Sequence, residues 1–112
     1  MSKKRLSELE ENLNTMASVM PDVMGSFKTF KESVMKENKL TSREKILTAL
    51  GIVTAKQCKD CIVSWVNTAV DAGITFEEIM EVCGVTMLLN GGPGAAYSVL
   101  VVETYNELVN EK

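Results

Sequence analysis

The 112-residue sequence contains no histidine, and this absence removes several chemistries at once. A structural zinc site normally takes four cysteine or histidine ligands, and an iron–sulfur cluster takes four thiolates. The chain has only three cysteines. Covalent haem attachment requires a histidine directly after a Cys-x-x-Cys pair, and that position is Ile62. We therefore expect neither a metal nor a cofactor within one subunit.

Basic patches and long apolar runs are also missing. The net charge is −3, and Lys3 and Lys4 are soon followed by glutamates, so no basic stripe for nucleic acid forms. No stretch reaches the roughly 18 apolar residues that indicate a membrane span, because Pro93 closes the run 79–89. No apolar segment follows the basic start, as a secretory signal would require. We expect a cytoplasmic protein without membrane or nucleic-acid partners.

Apolar residues recur at steps of three and four, and no segment alternates cleanly with a period of two. This pattern predicts an all-α, compact single domain spanning 1–112, with no linker. The six predicted helices cover about 2–20, 21–37, 42–56, 59–72, 76–89 and 93–110.

Local signals mark several of these helix ends. Thr41 with Glu44, and Thr75 with Glu78, have the spacing of capping boxes that start the third and fifth helices. Gly73 is well placed to end the fourth helix in a left-handed conformation. The third and fifth helices are more apolar than one small domain can readily hide, so we expect a homo-oligomer. A tightly wrapped monomer is the alternative.

The sequence Cys58-Lys59-Asp60-Cys61 is the motif that suggests a reaction. Residues three apart at a helix start lie on the same face, so the two sulfurs can approach within bonding distance. The helix start stabilises a thiolate, and Lys56 and Lys59 add to this effect while Asp60 opposes it. Cys58 should have the more acidic thiol. We interpret the pair as a dithiol–disulfide couple, with two inert buried thiols as the alternative.

Two further residues have mainly structural interpretations. Cys83 lies in an apolar run and is interpreted as a core residue, since free cysteine is often fully buried. Trp65 follows Cys61 by one helical turn, so it should lie beside the pair, either simply packing or shielding the sulfurs from water.

The order of these segments resembles the alkylhydroperoxidase D and carboxymuconolactone decarboxylase family over roughly 40–108. The likeness rests on the apolar helix 44–55, the Cys-Lys-Asp-Cys-Ile motif at 58–62, the stretch 69–79 and Gly-Gly-Pro-Gly-Ala-Ala at 91–96. The resemblance implies an alkylhydroperoxidase D-like helical fold that assembles as homotrimers or homohexamers. It also implies a thiol-based peroxidase or disulfide reductase, with Cys58 and Cys61 as the catalytic pair.

In the two-cysteine branch of that family, a glutamate twelve residues before the first cysteine and a histidine four residues after the second help to move protons. These positions hold Ile46 and Trp65 in this sequence. A positioned base contributes typically 10²–10⁴-fold to a proton-transfer step. The resemblance therefore predicts a weakened enzyme whose electron donor is a thiol-containing protein or a small dithiol.

Two other hypotheses remain. One is a non-catalytic oligomeric module on the same fold that binds a protein or a small apolar ligand. The other is a zinc or redox sensor in which cysteine pairs from two chains supply four thiolates.

Overall fold

The computed structural model describes residues 1–110, and the regular structure of this range is entirely helical. Five helices follow one another along the chain: α1 (Ser2–Val19), α2 (Pro21–Met35), α3 (Ser42–Ala55), α4 (Lys59–Asp71) and α5 (Phe76–Asn110). The predicted all-α class is confirmed, and the first four helices end within a few residues of their predicted bounds.

The last two predicted helices are both present, as two segments that meet at a kink inside α5, so the chain has five helices by count where six were predicted. Within α5, Gly91 adopts φ 64° and ψ −139°, a backbone conformation that side-chain-bearing residues rarely reach. Pro93 follows two residues later, where its missing N–H suits the first turn of a new helical segment. The Asn-Gly-Gly-Pro sequence therefore interrupts the helix at Gly91 and produces a kink between two helical segments.

Both predicted capping boxes are confirmed. At the start of α3, the Thr41 hydroxyl accepts from the Glu44 N–H at 3.0 Å, and the Glu44 carboxylate accepts from the Thr41 N–H at 2.8 Å. At the start of α5, the corresponding bonds between Thr75 and Glu78 measure 3.2 and 2.9 Å. Each box satisfies two backbone donors that the first helical turn leaves unpaired.

The hydrophobic core forms where α3, α4 and α5 pack together. Its fully buried side chains come from all three helices: Leu50, Ile62, Val66, Ile79, Val101 and Leu108. Burying one such aliphatic side chain contributes roughly 1.5–3 kcal/mol. This three-helix core gives α4, which carries the cysteine pair, a fixed support.

The first two helices lie outside this core and expose much of their apolar surface. The exposed stripe of α2 consists of Val23, Phe27, Phe30 and Val34, of which Phe30 is 65% exposed. The radius of gyration is 14.6 Å, above the roughly 13 Å expected for a compact chain of this length. An apolar stripe of this kind is typical of a surface that another molecule covers.

Among residues 1–110, one helix, α5, has the length and composition to cross a membrane. Its most apolar stretch has a mean hydropathy of 1.4, and 22% of that stretch is buried. The core helix of a soluble protein passes the same test, so this is weak evidence for a membrane span.

Candidate functional site

The turn between α3 and α4 fixes the backbone where the cysteine motif begins. α3 closes with a Schellman motif, in which the Cys58 N–H bonds to the Val53 carbonyl at 3.2 Å and the Gln57 N–H to the Thr54 carbonyl at 3.1 Å. Gln57 takes the left-handed position of this motif, with φ 60°. Cys58 is consequently held by its own backbone N–H directly before the first turn of α4.

Cys58 occupies the N-cap position of α4, and Cys61 lies in the first turn. The two cysteines form a disulfide, with an S–S distance of 2.08 Å and a Cα–Cα distance of 5.2 Å. Both residues are half-buried, so the bond is neither sealed in the core nor fully exposed. The predicted proximity of the two sulfurs is confirmed.

The start of α4 has an unused capping position. The side chain of the N-cap residue, Cys58, accepts no hydrogen bond from the first-turn amides of α4. An N-cap side-chain acceptor normally bonds to the N–H of the second or third helical residue. Once the disulfide is reduced, a Cys58 thiolate stands in the position from which it can accept those bonds and meet the positive end of the helix dipole.

Asp60, between the two cysteines, is paired with Arg5 of α1. The Arg5 Nε and Nη2 atoms each donate to one oxygen of the Asp60 carboxylate, both at 2.8 Å. These bonds lower the pKa of Asp60 below its ordinary value and raise that of Arg5. Sequence reasoning assigned Asp60 a purely opposing charge and missed Arg5, which lies 55 positions away and follows no local pattern.

Lys59 is the first residue of α4, and both Lys59 and Lys56 are exposed. They add positive charge along the chain on either side of Cys58. Lys59 therefore acts at most through long-range attraction, which salt screens at the surface.

The two positions where the resemblance places proton-moving groups are apolar and lie on the helices that frame the motif. Ile46 is 7% exposed and belongs to the core between α3 and its neighbours. Trp65 is half-buried on α4 and packs against that core. The Lys31 Nζ atom lies 5.2 Å from the centre of the Trp65 ring, a cation–π contact that connects α2 to α4.

Trp65 also lines an open groove of about 670 Å³ between α2, α3 and α4. Its walls are largely apolar and include Phe27, Phe30 and Leu40, with Lys31 and Lys45 among the lining residues. Neither cysteine lines this groove. The groove and the cysteine motif therefore meet at α4 but are separate features.

Cys83, the third cysteine, is 4% exposed within the core, as predicted. Burial raises the pKa of its thiol, and a hydrogen bond with Ser98 opposes that rise. Within residues 1–110 there is no group of three or more histidine, cysteine, aspartate or glutamate residues arranged to hold a metal ion.

Comparison with known proteins agrees with this geometry. Residues 21–104 match the model of the carboxymuconolactone decarboxylase family, including both cysteines and helices α2 to α4 in full. Uncharacterized protein H16_B0147 of Cupriavidus necator is 26% identical over 106 residues, covering 95% of this chain and 94% of the relative.

A solved structure is also closely similar. The crystal structure of apo-lpg0406, described as a carboxymuconolactone decarboxylase family protein from Legionella pneumophila, superposes with a TM-score of 0.91. It is 27% identical in sequence, and the match covers 95% of each chain. The fold expected from the resemblance is thus confirmed, and the chain belongs to the carboxymuconolactone decarboxylase family.

Proposed function

We propose that this protein is a thiol–disulfide oxidoreductase of peroxidase type that cycles Cys58 and Cys61 between dithiol and disulfide. The observation that carries the proposal is the half-buried Cys58–Cys61 disulfide at the uncapped start of α4. Family membership is compatible with redox function but does not specify a substrate, so the chemistry is argued from the pair itself.

In the oxidising half-reaction, the thiolate of one cysteine attacks an oxygen of a hydroperoxide. A sulfur–oxygen bond forms, the oxygen–oxygen bond breaks, and the departing oxygen takes a proton to give an alcohol. The second thiol then attacks the resulting sulfenic acid, forming the disulfide and releasing water. Two electrons leave the cysteines and reduce the peroxide, so the step needs no metal or organic cofactor.

In the reducing half-reaction, an external dithiol returns two electrons and two protons to the pair and becomes a disulfide itself. A thiol-containing protein or a small dithiol supplies this chemistry. The proposed assembly is a cytoplasmic homotrimer or homohexamer, which would cover the apolar stripe of α2 and the exposed Leu88 and Leu89 of α5.

Thiol titration tests the proposal. Fully reduced protein has three thiols, and a small excess of alkyl hydroperoxide should remove two of them while forming an intramolecular Cys58–Cys61 disulfide. Cys58→Ser and Cys61→Ser should each form no such disulfide. Cys83→Ala is the matched control and should lose both remaining thiols. Retention of all three thiols by the wild type would overturn the proposal.

The apolar residues at the two helper positions support a slow enzyme. Trp65→His, at a half-buried position, places an imidazole one turn after Cys61 and should speed the reaction with peroxide. The double variant Ile46→Glu with Trp65→His should speed it further, provided that its thermal unfolding shows that the core tolerates the new carboxyl group. A rate unchanged by Trp65→His would favour a site that is not a weakened enzyme.

The groove beside Trp65 favours a second candidate function, a non-catalytic module that binds a small apolar ligand or a protein. The supporting observation is the volume of about 670 Å³ and its largely apolar lining. Ile52→Glu would charge the groove wall from a half-exposed position on α3. Under this alternative, the variant loses binding of an apolar fluorescent dye, and peroxide-dependent thiol loss is absent in the wild type.

A further inference from the structure

Asp60 should hinder the chemistry of the cysteines between which it lies. A carboxylate in the first helical turn lies within about one turn of the Cys58 sulfur position, and like charges disfavour each other's ionised forms. For unit charges separated by roughly 6 Å and largely solvated, with an effective dielectric constant of roughly 40–80, the Coulomb interaction changes a pKa by roughly half to one unit. An unpaired Asp60 would therefore offset much of the thiolate stabilisation that the start of α4 provides.

The guanidinium of Arg5 supplies the counter-charge for Asp60. Two parallel N–H bonds of 2.8 Å join the guanidinium of Arg5 to both carboxylate oxygens, the bidentate arrangement that arginine makes best. Both side chains are about half exposed, at 43% and 48%, so the pair adds little to folding stability. The pair nevertheless changes the electrostatic potential at the cysteines, because Arg5 neutralises the charge of Asp60.

The remaining charges around the motif do not replace Arg5. A carboxylate oxygen of Glu8, on the same helix, lies 3.8 Å from the Arg5 Nη1 atom and partly offsets the positive charge of Arg5. Lys56 and Lys59 are exposed. From α5, Glu107 is occupied by the Ser2 N–H at 2.6 Å and by the N-terminal amine at 3.9 Å. Among these groups, Arg5 makes the fixed contact with Asp60.

We propose that Arg5 is a positioning residue for the cysteine pair: by neutralising Asp60 from α1, it keeps the Cys58 thiolate stable and the pair poised for reaction. The proposal rests on the redox function proposed above, but its readout does not require peroxidase activity. It also gives α1, which buries only Ser2 among its residues, a functional reason to dock on α4.

The test measures the acidity of Cys58 in a Cys61→Ser background, where no Cys58–Cys61 disulfide can form. The rate of Cys58 alkylation by iodoacetamide is followed against pH, and peptide mass spectrometry separates Cys58 from Cys83. Arg5→Ala should raise the Cys58 pKa by roughly half to one unit, because Asp60 is left unpaired. Asp60→Asn should lower it, because the negative charge between the cysteines is removed while the positive charge of Arg5 remains.

The opposite signs separate an electrostatic role from a structural one. The double variant Arg5→Ala with Asp60→Asn should return close to the wild-type pKa, and Arg5→Lys should retain most of the wild-type value. If Arg5 merely holds α1 in place, Arg5→Ala and Asp60→Asn would shift the pKa in the same direction, which would overturn the proposal. Equal pKa values in all variants would also overturn it.

Arg43→Ala is the matched control, since it removes one positive charge and one exposed ion pair, with Glu78 at the start of α5. It should leave the Cys58 pKa unchanged. A second measurement uses the intact pair equilibrated with reduced and oxidised glutathione, in which two glutathione thiols reduce the disulfide and form glutathione disulfide. At a pH above the Cys58 pKa, Arg5→Ala should lower the dithiol-to-disulfide ratio roughly three- to tenfold.

The two proposals can fail separately. Opposite pKa shifts in a protein whose thiols survive peroxide would uphold the role of Arg5 and reject peroxidase function. Peroxide-dependent disulfide formation with an unchanged Cys58 pKa would uphold peroxidase function and reject the role of Arg5.

Discussion

The two turns that flank α4 share one backbone hydrogen-bond pattern but differ in the residue at the left-handed position and in the cap that follows. At each turn a Schellman motif ends one helix. Before α4, the Cys58 N–H bonds to the Val53 carbonyl and the Gln57 N–H to the Thr54 carbonyl. After α4, the Ile74 N–H bonds to the Ala69 carbonyl and the Gly73 N–H to the Val70 carbonyl. The left-handed position is Gln57 in the first turn and Gly73 in the second. A backbone that glycine adopts freely is thus imposed on glutamine directly before the cysteine pair.

The caps that follow the two turns also differ. α5 begins with a complete capping box, in which Thr75 and Glu78 satisfy each other's backbone donors. α4 begins with Cys58, whose side chain makes no capping bond while the disulfide is present. One turn therefore stabilises the fold locally, and the other leaves backbone donors available near a sulfur. Substitutions at either turn or its cap test this difference.

The largest effect is expected at the second turn. Gly73→Ala should destabilise the protein by about 1–2 kcal/mol, because an L-residue is strained at the observed φ of 77°. An added Cβ there meets no atom within 4 Å, so the loss comes from the backbone and not from a clash. Urea unfolding measures it. Gly25→Ala, in open space on α2, is the control and should be neutral or stabilising.

The next effect concerns the cap of α4. Cys58→Ser and Cys58→Ala both abolish the disulfide, but serine is a good N-cap residue and alanine is not. Under reducing conditions, Cys58→Ser should therefore be more stable by about 1 kcal/mol. Thr75→Ser against Thr75→Ala should show a similar difference at α5. Equal stabilities of the two Cys58 variants would mean that the first-turn amides of α4 are already satisfied.

The features predicted from the sequence are those that short-range chemistry determines. Each capping box lies within four residues, and a glycine at position 73 indicates its own left-handed conformation. The Cys-x-x-Cys spacing likewise places two sulfurs on one helix face. The family resemblance added the expected fold, and the family match over 21–104 and the similar solved structure confirm it.

Other features depend on contacts that no local pattern encodes. Gln57 gives no signal of left-handed geometry, because its conformation is imposed by the Schellman motif around it. The Arg5–Asp60 pair joins residues 55 positions apart. The gap predicted between the last two helices is reduced to a kink at Gly91, because one residue with non-helical geometry is enough to redirect the chain. The helix periodicity of α2 predicted an amphipathic helix but not what would cover its apolar stripe.

A smaller effect is expected at the first turn. Gln57→Gly should stabilise the reduced protein by about 0.5 kcal/mol, since relief of the left-handed strain is partly offset by the greater freedom of glycine in the unfolded chain. Gln57→Asn should recover part of this gain, because asparagine tolerates the left-handed region better than glutamine. Urea unfolding in the presence of a reductant measures both. A loss of stability in Gln57→Gly would show that the glutamine side chain makes a compensating contact.

The smallest effect at neutral pH concerns the charge in the α5 capping box. Bonds from the Thr75 backbone and hydroxyl and from Arg43 lower the pKa of Glu78 from 4.5 to about 2. Because the folded-state pKa lies below the unfolded-state value, ionised Glu78 stabilises the fold above about pH 4.5, and this contribution is lost as the pH falls towards 2. Glu78→Gln should therefore be less stable than the wild type at pH 7, with the difference shrinking between pH 5 and pH 2.

Urea midpoints across that pH range measure the difference, and Glu44→Gln is the matched control. Glu44 closes the corresponding box of α3 through Thr41, and its pKa is also lowered, but no arginine is among the causes. The difference in stability between the wild type and Glu44→Gln should shrink by a smaller amount over the same pH range. A pH-independent difference for Glu78→Gln would mean that Thr75 and Arg43 do not favour the charged carboxylate. The two turns would then differ in backbone geometry, at Gln57 and Gly73, but not in the electrostatics of their caps.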